Sequence, residues 1–316
     1  MTRVHALDQA STDRFRRDFA MVHRGLGDKV ALAVSGGPDS LALLLLARAT
    51  LENVEAATVD HGLRPEAASE AQFVGKICRQ LGIRHSILTL PEPPKGNKSA
   101  WARKRRYEVL EHWADQIGAG SISTAHHADD QLETMIMRLN RGSGVGGMAG
   151  IRPWRGRIIR PLLTWRKDEL EQIVREAGIT PVDDPSNHDD RYDRARLRKE
   201  LRRATWLSPT GAVRAGLALA SADSALEWAA LDYMSRRAAQ AGGIISLDAK
   251  GLPTEILRRI LLECLRRIMP EASPRADEID RLLASLRAGK TSTLAEVKCA
   301  GGDFWTFQKA PVRRKN

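Results

Sequence analysis

Ser35-Gly36-Gly37-Pro38-Asp39-Ser40 stands between an apolar run at 29–34 and a helix-like stretch that begins at Pro38. Two adjacent glycines let backbone N–H groups turn toward a single point. The helix that follows adds partial positive charge at its N-terminus. The hydroxyls of Ser35 and Ser40 are further donors, and Pro38 suits a first helical turn. The ligand such a loop selects is phosphate. No Gly-Lys-Ser/Thr follows the glycines, which excludes a Walker A loop. Asp39 would repel phosphate unless a cation stands near it, so its place in the loop calls for Mg²⁺.

Outward from this loop the pattern alternates. Residues 53–59, 83–88 and 121–125 read as strands, and 38–49, 66–81 and 99–117 as helices. Such alternation predicts an α/β fold, a parallel twisted sheet with helices on both faces. Ligands then bind outside the carboxyl ends of the strands. Residues 141–156 are glycine-rich and read as a loop, 167–177 as a helix, 183–190 as a turn region, and 191–203 as a basic helix. After position 208 the character changes. Residues 210–241, 252–269 and 274–288 carry helical spacing, 244–247 is strand-like, and 291–307 suggests a small terminal hairpin. The spacing predicts two domains, 1–208 and a mainly α-helical 209–316.

Bulk composition narrows the partners. The net charge of +11 favours a polyanion such as nucleic acid. The three cysteines, Cys78, Cys264 and Cys299, lie far apart without metal-clip or redox spacing. The longest apolar run, 41–47, is too short for a membrane span, and residues 1–10 lack a signal-peptide layout.

Three more segments carry chemistry. Val59-Asp60-His61-Gly62-Leu63-Arg64 ends the second strand, where polar side chains lie on the ligand edge; a strand-to-helix turn with a capping Asp60 explains it equally well. Thr124-Ala125-His126-His127-Ala128-Asp129-Asp130-Gln131-Leu132-Glu133-Thr134 follows the fourth strand. With a helix starting near His126, residues His126, Asp130 and Glu133 share one face. A solvated acidic first turn and a metal hydrolase are the rival readings, the latter without His-Glu-x-x-His spacing. Arg103 and Arg106 lie one turn apart on a helix segment without acids, suited to charge on a phosphate or to a solvated basic face. Arg191, Arg194, Arg198 and Arg202 form a helical stripe that suits a phosphate backbone.

In order along the chain, these segments resemble the motifs of the tRNA(Ile)-lysidine synthetase family, within the PP-loop ATP pyrophosphatases. Residues 35–40 are similar to the SGGxDS loop, 59–64 to VDHGLR, 102–107 to AR-x-x-RY, 141–144 to RGSG, and 184–187 to DPSN. Residues 124–134 match the family's motif nearly letter for letter. The family's Y-x-R-N-R-I-R stands here as Tyr192-Asp193-Arg194-Ala195-Arg196-Leu197-Arg198, so an alanine replaces the usual asparagine at 195.

The resemblance implies a PP-loop, adenine nucleotide α-hydrolase-like catalytic domain and a tRNA-binding C-terminal domain. It implies ATP bound by Ser35, Gly36, Gly37, Pro38, Asp39, Ser40, Asp60 and His61, with Mg²⁺ on Asp39. Asp39, Arg106, His126, Asp130 and Glu133 would be catalytic, Asp130 and Glu133 would hold free L-lysine, and Arg194 and Arg198 would bind substrate. The implied partner is tRNA(Ile) with anticodon CAU, in a cytoplasmic protein without a membrane partner and with a homodimer left open. A PP-loop tRNA thiolase and an inactive tRNA-binding paralogue are the alternatives. A thiolase generally needs paired or catalytic cysteines.

Overall fold

The computed structural model describes residues 7–60, 62, 66–91, 98–182 and 193–311. Helix α1 (Gln9–His23) opens it, capped by Asp8, whose carboxylate accepts from the Ser11 N–H at 2.8 Å. This helix was not legible in the sequence reading. Strand β1 (Val30–Ala33) follows, buried at every position, as a central parallel strand is. Then come α2 (Pro38–Thr50), β2 (Val54–Asp60), α3 (Glu66–Leu81), β3 (Arg84–Thr89), α4 (Lys98–Gln116) and β4 (Ser121–Ser123). The expected alternation is present, with ends shifted by one or two residues.

Helix α5 (Ala128–Leu139) begins two residues later than the expected start at His126. The glycine-rich stretch holds a short helix, α6 (Val145–Met148), and a short strand, β5 (Trp154–Arg155), where a plain loop was expected. Strand β6 (Ile158–Ile159), α7 (Lys167–Glu176), α8 (Asp193–Arg203) and the long α9 (Pro209–Arg237) follow.

The first sheet has the order β3-β2-β1-β4-β6-β5. Its neighbours pair in parallel, except β5 with β6. The chain runs outward from β1 through β2 to β3, then crosses back to β4 on the other side. A crevice opens at that reversal, outside the carboxyl ends of β1 and β4.

Strand periodicity sorts the core into two layers. Val30, Leu32 and Val34 face one side, packing with Phe15 and Phe19 of α1, the leucines of α2, and Leu170 and Ile173 of α7. Ala31 and Ala33 face the other side, with Leu110 and Trp113 of α4. Residues Ser40 to Ala47 of α2 are all buried, which explains why the longest apolar run has no polar face.

The chain divides into two compact units, Met1–Ala220 and Ser221–Asn316. The division lies within α9, past position 208, where the sequence places a domain boundary. In the second unit β7 (Ala238–Ala241), β8 (Ile244–Leu247), α10 (Thr254–Ile268), α11 (Ala276–Arg287), β9 (Thr291–Leu294), β10 (Val297–Ala300) and β11 (Trp305–Lys309) follow the end of α9. The strands form one antiparallel sheet, β7-β8-β11-β10-β9, larger than the expected hairpin. Residues 238–241, expected to continue a helix, are its edge strand. Leu257, Ile260, Leu261, Leu282, Leu283, Val297 and Phe307 form this unit's own core. Among the described residues no helix is long and apolar enough to cross a membrane.

Candidate active site

The loop after β1 is braced from within. Ser40, near the start of α2, turns its hydroxyl back under the loop. It accepts from the N–H groups of Ser35 and Gly36, both at 3.1 Å, and donates to the Gly37 carbonyl at 2.9 Å. A hydroxyl expected to donate to phosphate is thus engaged as a strut inside the loop. Gly36 sits at φ 90°, a left-handed conformation that only glycine adopts without strain. A Cβ there would also stand 3.3 Å from the side chains of Val74 and Val182.

The loop forms one wall of a pocket of about 790 Å³. Ser35, Gly37, Pro38 and Asp39 line it from the loop, Thr58 and Val59 from β2, and Arg106 and Tyr107 from α4. His126, Lys167, Glu171, Arg198 and Arg202 add to its polar lining, as does Glu70 of α3. Such a volume suits a nucleotide-sized ligand. The structure thus brings Asp39, Arg106 and His126 together at the sheet crevice. Asp60 is placed otherwise: its carboxylate accepts from the Gly62 N–H at 2.9 Å, the turn-capping arrangement, and it is not among the pocket's lining residues. His61, Arg191 and 184–187 lie outside the described residues, as does the Arg103 side chain. The glycines of 141–147 lie beyond the end of α5 and do not line the pocket.

Behind the pocket lies a charged cluster. Asp130 and Glu133 are buried on α5. Two arginines of α8 clasp them. Arg194 reaches Glu133 Oε2 through Nε at 2.8 Å, and Arg198 reaches Oε1 through Nε at 2.6 Å. Both guanidinium groups also donate to Asp130 Oδ1 at 3.3 Å. These are charge-assisted bonds of the strong, planar kind. The expected helical stripe therefore turns at least two of its arginines inward.

His127 was not singled out from sequence, although it stands inside the quoted motif. It is 1 % exposed. Its Nε2 lies 3.4 Å from Asp39 Oδ2 and 3.5 Å from Asp130 Oδ2, and its Nδ1 lies 3.7 Å from Asp129 Oδ2. Burial by itself would lower its pKa. The carboxylates of Asp129, Asp39 and Asp130 outweigh that and push it up to about 10, so the ring is a cation. Burial opposes ionisation of Asp130 as well, yet His127, His126, Arg194 and Arg198 hold its pKa below the usual value. Asp129 is held low in the same way, by His127, by Arg166 and by the Lys167 N–H at 2.9 Å. Lys167 and Glu171, one turn apart on α7, could not be found from sequence, because only the tertiary fold carries α7 to the crevice.

Asp39 also offers a fit for a divalent cation. Among the described residues its Oδ1 is buried without a hydrogen-bond partner, and the carboxylate lines the pocket where phosphates would lie. A single hard oxygen ligand beside phosphate is how Mg²⁺ is usually held. The cysteines offer nothing comparable. All three are buried, and burial pushes each thiol up to about 12.

Comparison with known proteins agrees with this geometry. A PP-loop domain model matches residues 11–205. The chain is 42% identical over 299 residues to a tRNA(Ile)-lysidine synthase of Zymomonas mobilis, covering 92% of this chain and 91% of that protein. It is 42% identical over 326 residues to one of Novosphingobium aromaticivorans, covering 97% and 96%. Among solved structures, the U34-tRNA thiolase NcsA of Methanococcus maripaludis, described with its [4Fe-4S] cluster, aligns with a TM-score of 0.52. It shares 20% identity, over 66% of this chain and 78% of that one, a likeness of fold. Motif order, sheet topology and these relatives together place the chain in the tRNA(Ile)-lysidine synthase family of PP-loop proteins.

Proposed function

We propose that the chain ligates free L-lysine to the wobble cytidine of tRNA(Ile) with anticodon CAU, in two steps that consume ATP. In the first, the cytidine carbonyl oxygen attacks the α-phosphorus and pyrophosphate leaves. In the second, the lysine amine attacks the activated ring carbon, AMP leaves and a proton is released. Adenylation converts an unreactive oxygen into a leaving group. The observation that carries this reading is the buried acid pair, Asp130 and Glu133, set immediately behind a phosphate-loop pocket. A site of that kind has room for a nucleotide and carboxylates for an amine.

The residues divide the work. The N–H groups at the N-terminus of α2 face the phosphates, on a loop whose Ser35 and Gly36 N–H groups are held by Ser40. Asp39 would hold Mg²⁺, which supplies charge neutralisation on the phosphate chain when bound. Arg106 faces charge that develops at the α-phosphorus, with His126 beside it. Asp130 and Glu133 take the ammonium of lysine. The thiolase alternative finds no support in the three buried thiols, which burial keeps protonated and withdraws from attack.

The test uses labelled L-lysine, ATP and a tRNA(Ile) transcript. Lysine becomes acid-precipitable with the RNA only when ATP is present. Sulfur transfer in its place, or no lysine incorporation, would remove the reading. D39N lowers RNA-dependent pyrophosphate–ATP exchange by about 10²-fold or more; unchanged exchange at ordinary Mg²⁺ would refute the role given to Asp39.

A further inference from the structure

We infer that Arg194 and Arg198 keep the amine site shut, and that RNA phosphates open it by drawing these guanidinium groups away. The inference rests on the functional reading above and concerns the order in which substrates bind.

Among the described residues, the carboxylates of Asp130 and Glu133 face the guanidinium groups of Arg194 and Arg198 at 2.6–3.3 Å. Two negative charges meet two positive ones, so the acid pair is already matched. An ammonium arriving at Asp130 and Glu133 would find both carboxylates engaged and would add an uncompensated charge to a buried site. Burying such a charge is costly. A cation must leave for one to enter.

The two arginines can turn outward: their side chains retain 37% and 25% exposure. They stand on α8, where six of eleven residues are basic. Arg196, Lys199, Arg202 and Arg203 of the same helix are exposed. A phosphate backbone lying along α8 would meet those outer charges first. It would then offer Arg194 and Arg198 the bidentate oxygen partners they have in the carboxylates. Turning outward exchanges one set of charge-assisted bonds for another and leaves Asp130 and Glu133 bare for lysine. Arg198 also lines the nucleotide pocket, so its release is felt on both sides of the site. RNA binding and lysine binding are then coupled, and the coupling is reciprocal.

Equilibrium dialysis of labelled L-lysine against the full chain tests this, without ATP so that no product forms. The tRNA(Ile) transcript is expected to tighten lysine binding by about tenfold, and saturating lysine to tighten transcript binding by the same factor. In R194Q/R198Q, lysine is expected to bind without RNA as tightly as the wild type does with it, and RNA is expected to change nothing. Equal lysine affinity with and without transcript in the wild type would overturn the inference. So would loss of lysine binding in a folded R194Q/R198Q chain, the result expected if the arginines hold the lysine carboxylate. The reciprocal measurement needs only the unaltered chain, so a variant that fails to fold leaves the test intact. A chain that makes lysidine yet shows no coupling refutes the clasp alone; a chain that makes none refutes the functional reading.

Discussion

At the scale of the residue, His127 shows how position overrides side-chain type. An imidazole sealed from solvent would ordinarily be neutral. Here burial is outweighed by three carboxylates, and the ring carries its proton with a pKa near about 10. Because the folded value lies above the unfolded 6.5, the stabilisation is whole below pH 6.5 and is lost as pH rises through about 10. H127Q, which removes the cation from between Asp39, Asp129 and Asp130, is expected to cost about 3 kcal/mol near pH 6.5. The gap in melting temperature between wild type and H127Q then narrows toward pH 10. A gap that stays constant across that range in thermal unfolding would show that the ring contributes shape and not charge. The motif at 124–134 singled out Asp130 and Glu133, and the structure buries both on α5. It did not separate His126, which lines the pocket, from His127, which braces it. That distinction depends on where α5 begins, and its first residue is Ala128.

At the scale of the element, α5 is held by its neighbours more than by propensity. Gln131 donates to the Ala149 carbonyl at 3.0 Å and accepts from the Ile151 N–H at 2.6 Å. Its amide fixes the chain after α6 to the helix that carries the acid pair. Gly216 of α9 lies so close that a Cβ there would collide with this amide and stand 3.0 Å from the Ala149 carbonyl. G216A is therefore expected to destabilise the fold by about 1–3 kcal/mol. Combined with Q131A the two losses should fall short of additivity, because each relieves part of the other's strain. Additive losses in denaturant unfolding would mean that the glycine answers to helix packing elsewhere. Nothing local marks Gly216 in the sequence, where it stands in an ordinary Ala-rich helix. Its partners, Gln131 on α5 and the Ala149 carbonyl after α6, stand more than sixty positions earlier in the chain.

At the scale of the whole molecule, charge sets the encounter with RNA. A net +11 concentrated in segments such as α8 makes binding a counterion-release reaction. Affinity for tRNA(Ile) transcript is expected to fall about tenfold or more between roughly 50 and 200 mM salt, linearly in the logarithms. A flat response in filter binding would detach the basic surface from RNA. The sequence by itself determined the alternation of strands and helices, the phosphate loop and the acid pair. Each of those is written locally, in apolar period, glycine placement and residue type. It did not determine that β7 to β11 close one antiparallel sheet, since short edge strands such as Ala238–Ala241 carry no period that separates them from a helix end. Nor could it tell that Arg194 and Arg198 turn inward onto Asp130 and Glu133. A helical stripe fixes which residues share a face, and only packing decides what that face meets.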